Sequence, residues 1–204
     1  MIIYWLLLLI IGYFALRNPR TKWNNLTTFL IWFFLVIIIG FRYQVGCDWD
    51  EYIRIVNQLT IPLNELINSN SFLNNPLYKL TVWFAADNNL KVYGLNIIAS
   101  IIFSYGLVYF CKQTKRPWLT LLVSIPYLVI VVAMGYVKQS IAIGILLIGF
   151  GKICNNEPNK FIYYSLTASL FHISSLVTSP LILICGDFKK RSTKVRLFIF
   201  LIIF

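Results

Sequence analysis

LTTFLIWFFLVIIIGFRYQVGCDWDEY, residues 26–52, joins fifteen uncharged residues to a short segment holding three of the chain's seven acids, Asp48, Asp50 and Glu51, beside Arg42 and several aromatic rings. The first part is apolar all round, as a helix surrounded by lipid must be. The second part, residues 41–52, puts dense polar chemistry at the edge of that apolar run, where a functional group is costly to keep and therefore informative.

Working outward, the whole chain has the same character. Of its 204 residues 59% are hydrophobic and 12% charged, more apolar surface than one soluble core of this length can hide. The fold class expected is an all-α, polytopic integral membrane protein with about six to eight membrane-embedded helices and an interfacial amphipathic helix after the second span, in one domain over residues 1–204. The net charge of +11 comes in short clusters between apolar runs, the pattern of cytoplasmic loops, which argues against nucleic acid as a partner. Residues 1–16 lack a basic leader and a small-residue cleavage site, so they are expected to remain as the first span. The four cysteines, Cys47, Cys111, Cys154 and Cys185, have neither metal nor disulfide spacing. The sequon at Asn25 lies beside a basic loop and carries no weight.

Residues 2–16 form the first span and 26–40 the second, joined by a loop with Arg17, Arg20 and Lys22 and no acid; the positive-inside rule places that loop in the cytoplasm and Arg42 on the outer face. From Asp48 a short amphipathic helix is expected, with Trp49, Tyr52, Ile53, Val56 and Leu59 on one side, lying in the outer headgroup region with Trp49 and Tyr52 as interfacial anchors and ending at Pro62. Residues 68–75 are a polar loop. Residues 76–86, about 16 Å of helix at 1.5 Å per residue, are too short to cross and form a re-entrant or outer-surface helix. Residues 90–110 cross inward, 118–137 return, Lys138 and Gln139 stand at a turn, and a shorter leg 140–151 goes back in. A single helix over 161–185 would send Lys189, Lys190, Arg191, Lys194 and Arg196 outside; a break near His172 makes a hairpin and returns them to the cytoplasm. That topology places 13 of the 18 Lys and Arg inside and balances five bases with five acids outside. The final eight apolar residues, 197–204, cannot span a bilayer, so further C-terminal spans are expected.

Four positions, one of them a pair of residues, are candidates for chemistry. Arg42 is either a snorkelling end-anchor or partner of Asp48 or Asp50, or a guanidinium fork for an anionic headgroup. Asp48 stands three residues before Glu51, the spacing of a helix capping box, or is a carboxylate for a sugar hydroxyl. Lys138 and Gln139 interrupt 34 otherwise uncharged residues, 118–151, as a loop charge or as a lysine facing an anion. His172, the sole histidine, is a structural imidazole or the best-placed general base. No metal-ligand spacing, Gly-rich phosphate loop or nucleophile elbow is present, and no cofactor is expected.

These positions carry a family resemblance. Phe41-Arg42-Tyr43, Val45-Gly46-Cys47-Asp48-Trp49 and Tyr52 resemble the R-x-x-x-G-x-D-aromatic-x-x-Y signature of the EpsG family of Wzy-like bacterial polysaccharide polymerases. Lys138-Gln139-Ser140-Ile141-Ala142 is similar to its [RK]-Q-x-[IL]-A element, with lysine where arginine is more frequent. Ala168-Ser169-Leu170-Phe171-His172-Ile173-Ser174-Ser175 is similar to its A-x-x-F-H-x-S-[SA] element. The resemblance implies a bacterial inner-membrane enzyme with an extracytoplasmic active site. It would join undecaprenyl-diphosphate-linked oligosaccharide repeat units into capsule, exopolysaccharide or O-antigen, with membrane lipid and a chain-length regulator protein as partners. On it, His172 and Asp48 would be catalytic, and Arg42, Lys138, Gln139, Tyr52 and Ser174 would bind substrate. The alternatives are a flippase for lipid-linked sugars, which should show matched inverted halves, or an inactive membrane fragment.

Overall fold

The computed structural model describes residues 2–17, 20–46, 48–59, 62–69 and 72–181. The basic cluster at 189–196 and the apolar run 197–204 lie outside these residues, as do Cys47 and Cys185. All regular structure among the described residues is helical. It comprises α1 (Ile2–Arg17), α2 (Asn25–Gly40), α3 (Trp49–Gln58), α4 (Leu63–Asn68), α5 (Pro76–Asp87) and α6 (Lys91–Gln113). Then come α7 (Pro117–Ser124), continued by a π-helix (Ile125–Ala133), α8 (Val137–Cys154), α9 (Phe161–Ser169) and a 3-10 segment (Ile173–Thr178).

α6 is the central post. Its 23 residues and the 18 of α8 are long and apolar enough to cross a membrane, while α1, α2 and the α7–π segment are shorter apolar helices. Glycines let α6 and α8 approach until backbone meets backbone: a Cβ on Gly106 would overlap the Gly144 carbonyl, and one on Gly144 would lie 2.6 Å from Phe103 Cα. Gly144 faces Phe103 and Gly151 faces Tyr109 and Gln113, so α6 and α8 run in the same direction. α2 runs against α6. Gly40 packs on Ile97 and Ser100, while at the other end Lys112 Nζ donates to Asn25 Oδ1 at 3.0 Å. α7 likewise opposes α1, with Phe14 stacked on Trp118 at 4.7 Å. The wide π turns begin at Pro126, which has no N–H and whose ring excludes the carbonyl four residues earlier.

This arrangement collects Arg17, Arg20, Lys22, Lys112, Lys115, Arg116, Lys152 and Lys160 at one end, with Glu157 paired to Lys160 at 2.7 Å. The loop after α2, helices α3 to α5, and the starts of α6 and α8 form the other end. α9 runs back along α8, Phe161 and Tyr164 against Gly149, and its last turn reaches α5, where Leu77 N–H donates to Leu170 O at 3.2 Å. Nine residues of helix are about 14 Å, too short to span. The helix stops at Ser169, and His172 is extended at φ −152°, where the sequence places a break. The return leg beyond residue 181 lies outside the described residues.

Several local expectations are corrected. α3 begins after Asp48, but Asp48 makes no side-chain cap; its φ −99°, ψ 13° is not the extended geometry that aims a carboxylate at the first turn, and Glu51 pairs with Arg54 at 2.7 Å instead. Trp49 and Tyr52 are buried against α5 and α6, not anchored in lipid, and Trp49 meets Tyr93 edge to face at 6.0 Å. Pro62 caps an additional helix, α4, and α3 has already ended at Gln58. Lys138 and Gln139 lie in the first turn of α8. The chain reverses one step earlier, at residues 134–136, because Tyr136 is extended (φ −126°, ψ 88°).

Candidate functional site

The motif that follows α2 grips the 133–137 turn at three points. Phe41 closes α2 by donating its N–H to Ile37 O at 3.1 Å, which turns Arg42 inward until only 5% of it is exposed. Arg42 Nη1 donates to Ala133 O at 2.9 Å and to Ile39 O at 3.4 Å, and Nη2 donates to Asn96 Oδ1 at 2.9 Å. Ala133 closes the π-helix, and its carbonyl has found the guanidinium. Gly46 adopts φ +106°, and any Cβ there would run into the Met134 carbonyl, so the loop can lie on the turn only as glycine. Tyr52 supplies the third contact. Its hydroxyl oxygen accepts the Val137 N–H at 3.0 Å and donates to Asp48 Oδ2 at 3.4 Å. α8 has no capping side chain of its own, and this phenol takes that place from 85 residues away. Burial, reinforced by the Asp48 charge, pushes the Tyr52 pKa up to about 12, which keeps the proton that Asp48 receives.

The turn so held presents Lys138. Its Nζ stands 4.8 Å from the centroid of the Tyr78 ring, a cation–π contact from α8 to α5. Both residues line a recess of about 280 Å³ with Lys79, Asn75 and Ser69 over an apolar floor that includes Leu59 and Val82. Burial first, then the Lys138 cation, lowers the Lys79 pKa, as expected for two ammonium groups sharing a small space. The Tyr78 hydroxyl is buried and has no hydrogen-bond partner among the described residues. Such an unpaired donor costs on the order of 1–3 kcal/mol.

His172 is half-buried at the turn after α9 and close enough to Lys138 to sense its charge. Burial first and that cation second hold its pKa below the ordinary histidine value, so the imidazole is neutral at neutral pH and able to take a proton. Gln139 is half-buried, Ser174 exposed, and neither side chain makes a hydrogen bond among the described residues. Arg42 opens on a different recess, about 450 Å³ lined by Tyr4, Tyr43 and Met134. Arg42, Asp48, Lys138 and His172 thus sit at one end of the bundle, with His172 within reach of the Lys138 charge and Arg42 behind the turn that carries Lys138.

Sequence reasoning missed Asn96, Tyr78 and Lys79. Asn96 carried a signal, a fully buried amide in an apolar run. Lys79 entered only as one charge in the topology balance, because nothing local links α5 to α8. Among the described residues no cluster of His, Cys, Asp or Glu could hold a metal ion. Cys111 is buried and Cys154 exposed, both free.

The fold and site define an all-helical membrane protein with a cation-lined polar site at the end opposite its basic loops. The chain matches the EpsG family model over residues 25–204 and belongs to the EpsG family. That membership makes it a membrane protein related to polysaccharide biosynthesis. No curated protein and no solved structure matches the chain.

Proposed function

We propose that the protein is a glycosyltransferase-type polymerase that joins polyprenyl-diphosphate-linked oligosaccharide units on the outer face of the bacterial inner membrane. The observation that carries this is the position of Lys138, which lines the recess with Tyr78 and Lys79 and whose charge reaches His172. Glycosyl transfer from a diphosphate needs cations at the leaving group and a base at the acceptor, and these residues would supply both. The acceptor hydroxyl oxygen attacks the anomeric carbon of the donor as its proton passes to the neutral His172 imidazole. The bond from that carbon to the diphosphate oxygen breaks, and the polyprenyl diphosphate departs with both bonding electrons, its charge met by Lys138 and Lys79. Arg42, Gly46 and the Asp48–Tyr52 pair hold the turn that aims Lys138. Gln139, next to Lys138, and Ser174, two residues from His172, would contact sugar hydroxyls.

The orientation follows from charge. Eight cations and one acid among the described residues support a cytoplasmic position for that end, and on this reading the site faces outward. The test is reconstitution of the full chain with lipid-linked repeat units and electrophoresis of the product. His172→Ala and Lys138→Ala are each expected to lower polymer yield at least about 100-fold, the usual scale of a lost general base or a lost charge stabiliser. Normal long-chain glycan from both variants would remove the assignment.

A further inference from the structure

A second recess adjoins the first across Leu59, which lines both. It encloses about 380 Å³ between the end of α3 and the α5–α6 turn, and its walls carry Asn57, Trp83, Asp87, Asn89 and Lys91. In chemistry the two differ. The Tyr78–Lys79–Lys138 recess has cations over an apolar floor, whereas this one sets a half-buried indole among two amides and a carboxylate, with a single cation, Lys91. None of the Asn57, Asp87 and Asn89 side chains has a hydrogen-bond or ionic partner within the protein among the described residues. Asp87 and Asn89 belong to the α5–α6 turn, whose backbone is fixed locally. Asn89 and Lys91 take φ of +53° and +54°, and Asn88 Nδ2 ties back to Phe84 O at 2.9 Å.

A flat aromatic face beside planar groups that offer paired donors and acceptors suits a pyranose ring. The apolar ring face lies on the indole, and neighbouring hydroxyls meet an amide or a carboxylate two at a time. We propose that the Trp83–Asp87 recess is a glycan subsite, taking a sugar of the lipid-linked oligosaccharide while its diphosphate lies across Leu59 beside Lys79 and Lys138. This rests on the polymerase function proposed above and specifies where the saccharide binds. Trp83 and Asp87 stand on α5, the helix that also carries Tyr78 and Lys79, so one rigid element would set the spacing between sugar and phosphate.

Binding of two probes to the full chain in lipid nanodiscs separates the possibilities. One is the lipid-linked oligosaccharide extracted from cells deleted for this gene, the other bare undecaprenyl diphosphate. The wild-type protein should bind the sugar-bearing lipid at least about ten-fold more tightly, the scale of one well-placed polar or stacking contact set. Trp83→Ala and Asp87→Asn should shrink that preference below about three-fold with affinity for the bare lipid unchanged, and Trp83→Phe should retain it. Asn57→Ala, at an exposed position, gives the same reading if Trp83→Ala unfolds. An undiminished preference in the Trp83, Asp87 and Asn57 variants overturns the subsite and leaves the polymerase proposal standing. A wild-type protein that binds both lipids equally overturns the subsite as well, and if Lys138→Gln then also fails to weaken binding of the bare lipid, the polymerase proposal falls with it.

Discussion

At the scale of single residues, the EpsG motif after α2 acts chiefly on backbone. Tyr52 shows this most clearly, since the acceptor it offers Val137 is the only cap α8 has in its first turn. Tyr52→Phe should destabilise the protein by about 1–3 kcal/mol, the cost of a buried N–H left unpaired, and lower the unfolding midpoint along with activity. If Tyr52 served only as a substrate contact, the midpoint would not move. Arg42→Met should behave in the same way and more severely, because it strips partners from both Ala133 O and Asn96 Oδ1 at about 1–3 kcal/mol for each group. The His172 prediction concerns pH. A base whose pKa is depressed stays neutral to lower pH, and activity is lost as pH falls through that value. Lys138→Gln removes one of the two causes of the depression, so the acid limb of the residual activity should move to higher pH. An unmoved limb would show that another group titrates.

At the scale of elements, the parallel pair α6 and α8 sets where the site can form. Their contact at Gly106 and Gly144 has no room for a methyl group, and α8 carries Lys138 at its start. Gly144→Ala should force the helices apart, costing about 1–3 kcal/mol in overpacking, and tilt Lys138 away from Tyr78. Thermal unfolding together with polymer yield would report both effects, and a variant as stable as the wild type would contradict the close approach. These elements were largely legible in the sequence. Apolar runs predicted α1 and α2 to within a residue at each end and α6 to within three, and the 76–86 run predicted a helix too short to cross. The start of α8 was not legible, because a lone lysine and glutamine within an apolar stretch look like a turn. They are helical because Tyr52 and the extended Tyr136 place the break one step earlier.

At the scale of the whole molecule, the separation of charge to opposite ends predicts how the protein sits in its membrane. Cys154 is free and exposed at the basic end. In a background with Cys47, Cys111 and Cys185 changed to Ser, a membrane-impermeant maleimide should label Cys154 in inverted vesicles and not in intact spheroplasts. With Cys154 also changed to Ser, a cysteine introduced by Asp50→Cys should show the reverse pattern. Labelling of both positions from the same side would contradict the topology and the outward-facing site together.

The sequence by itself determined the helical membrane class, the clustering of positive charge in the loops and the family, because hydropathy, charge and short motifs are local properties of the chain. Tertiary structure alone decided that Arg42 spends its donors on two carbonyls and an amide, that Tyr52 caps a helix 85 residues away, and that Lys138 meets Tyr78 and shares a recess with Lys79. Those pairings depend on how closely α6 approaches α8 and on where α9 stops, distances set by packing between segments far apart along the chain.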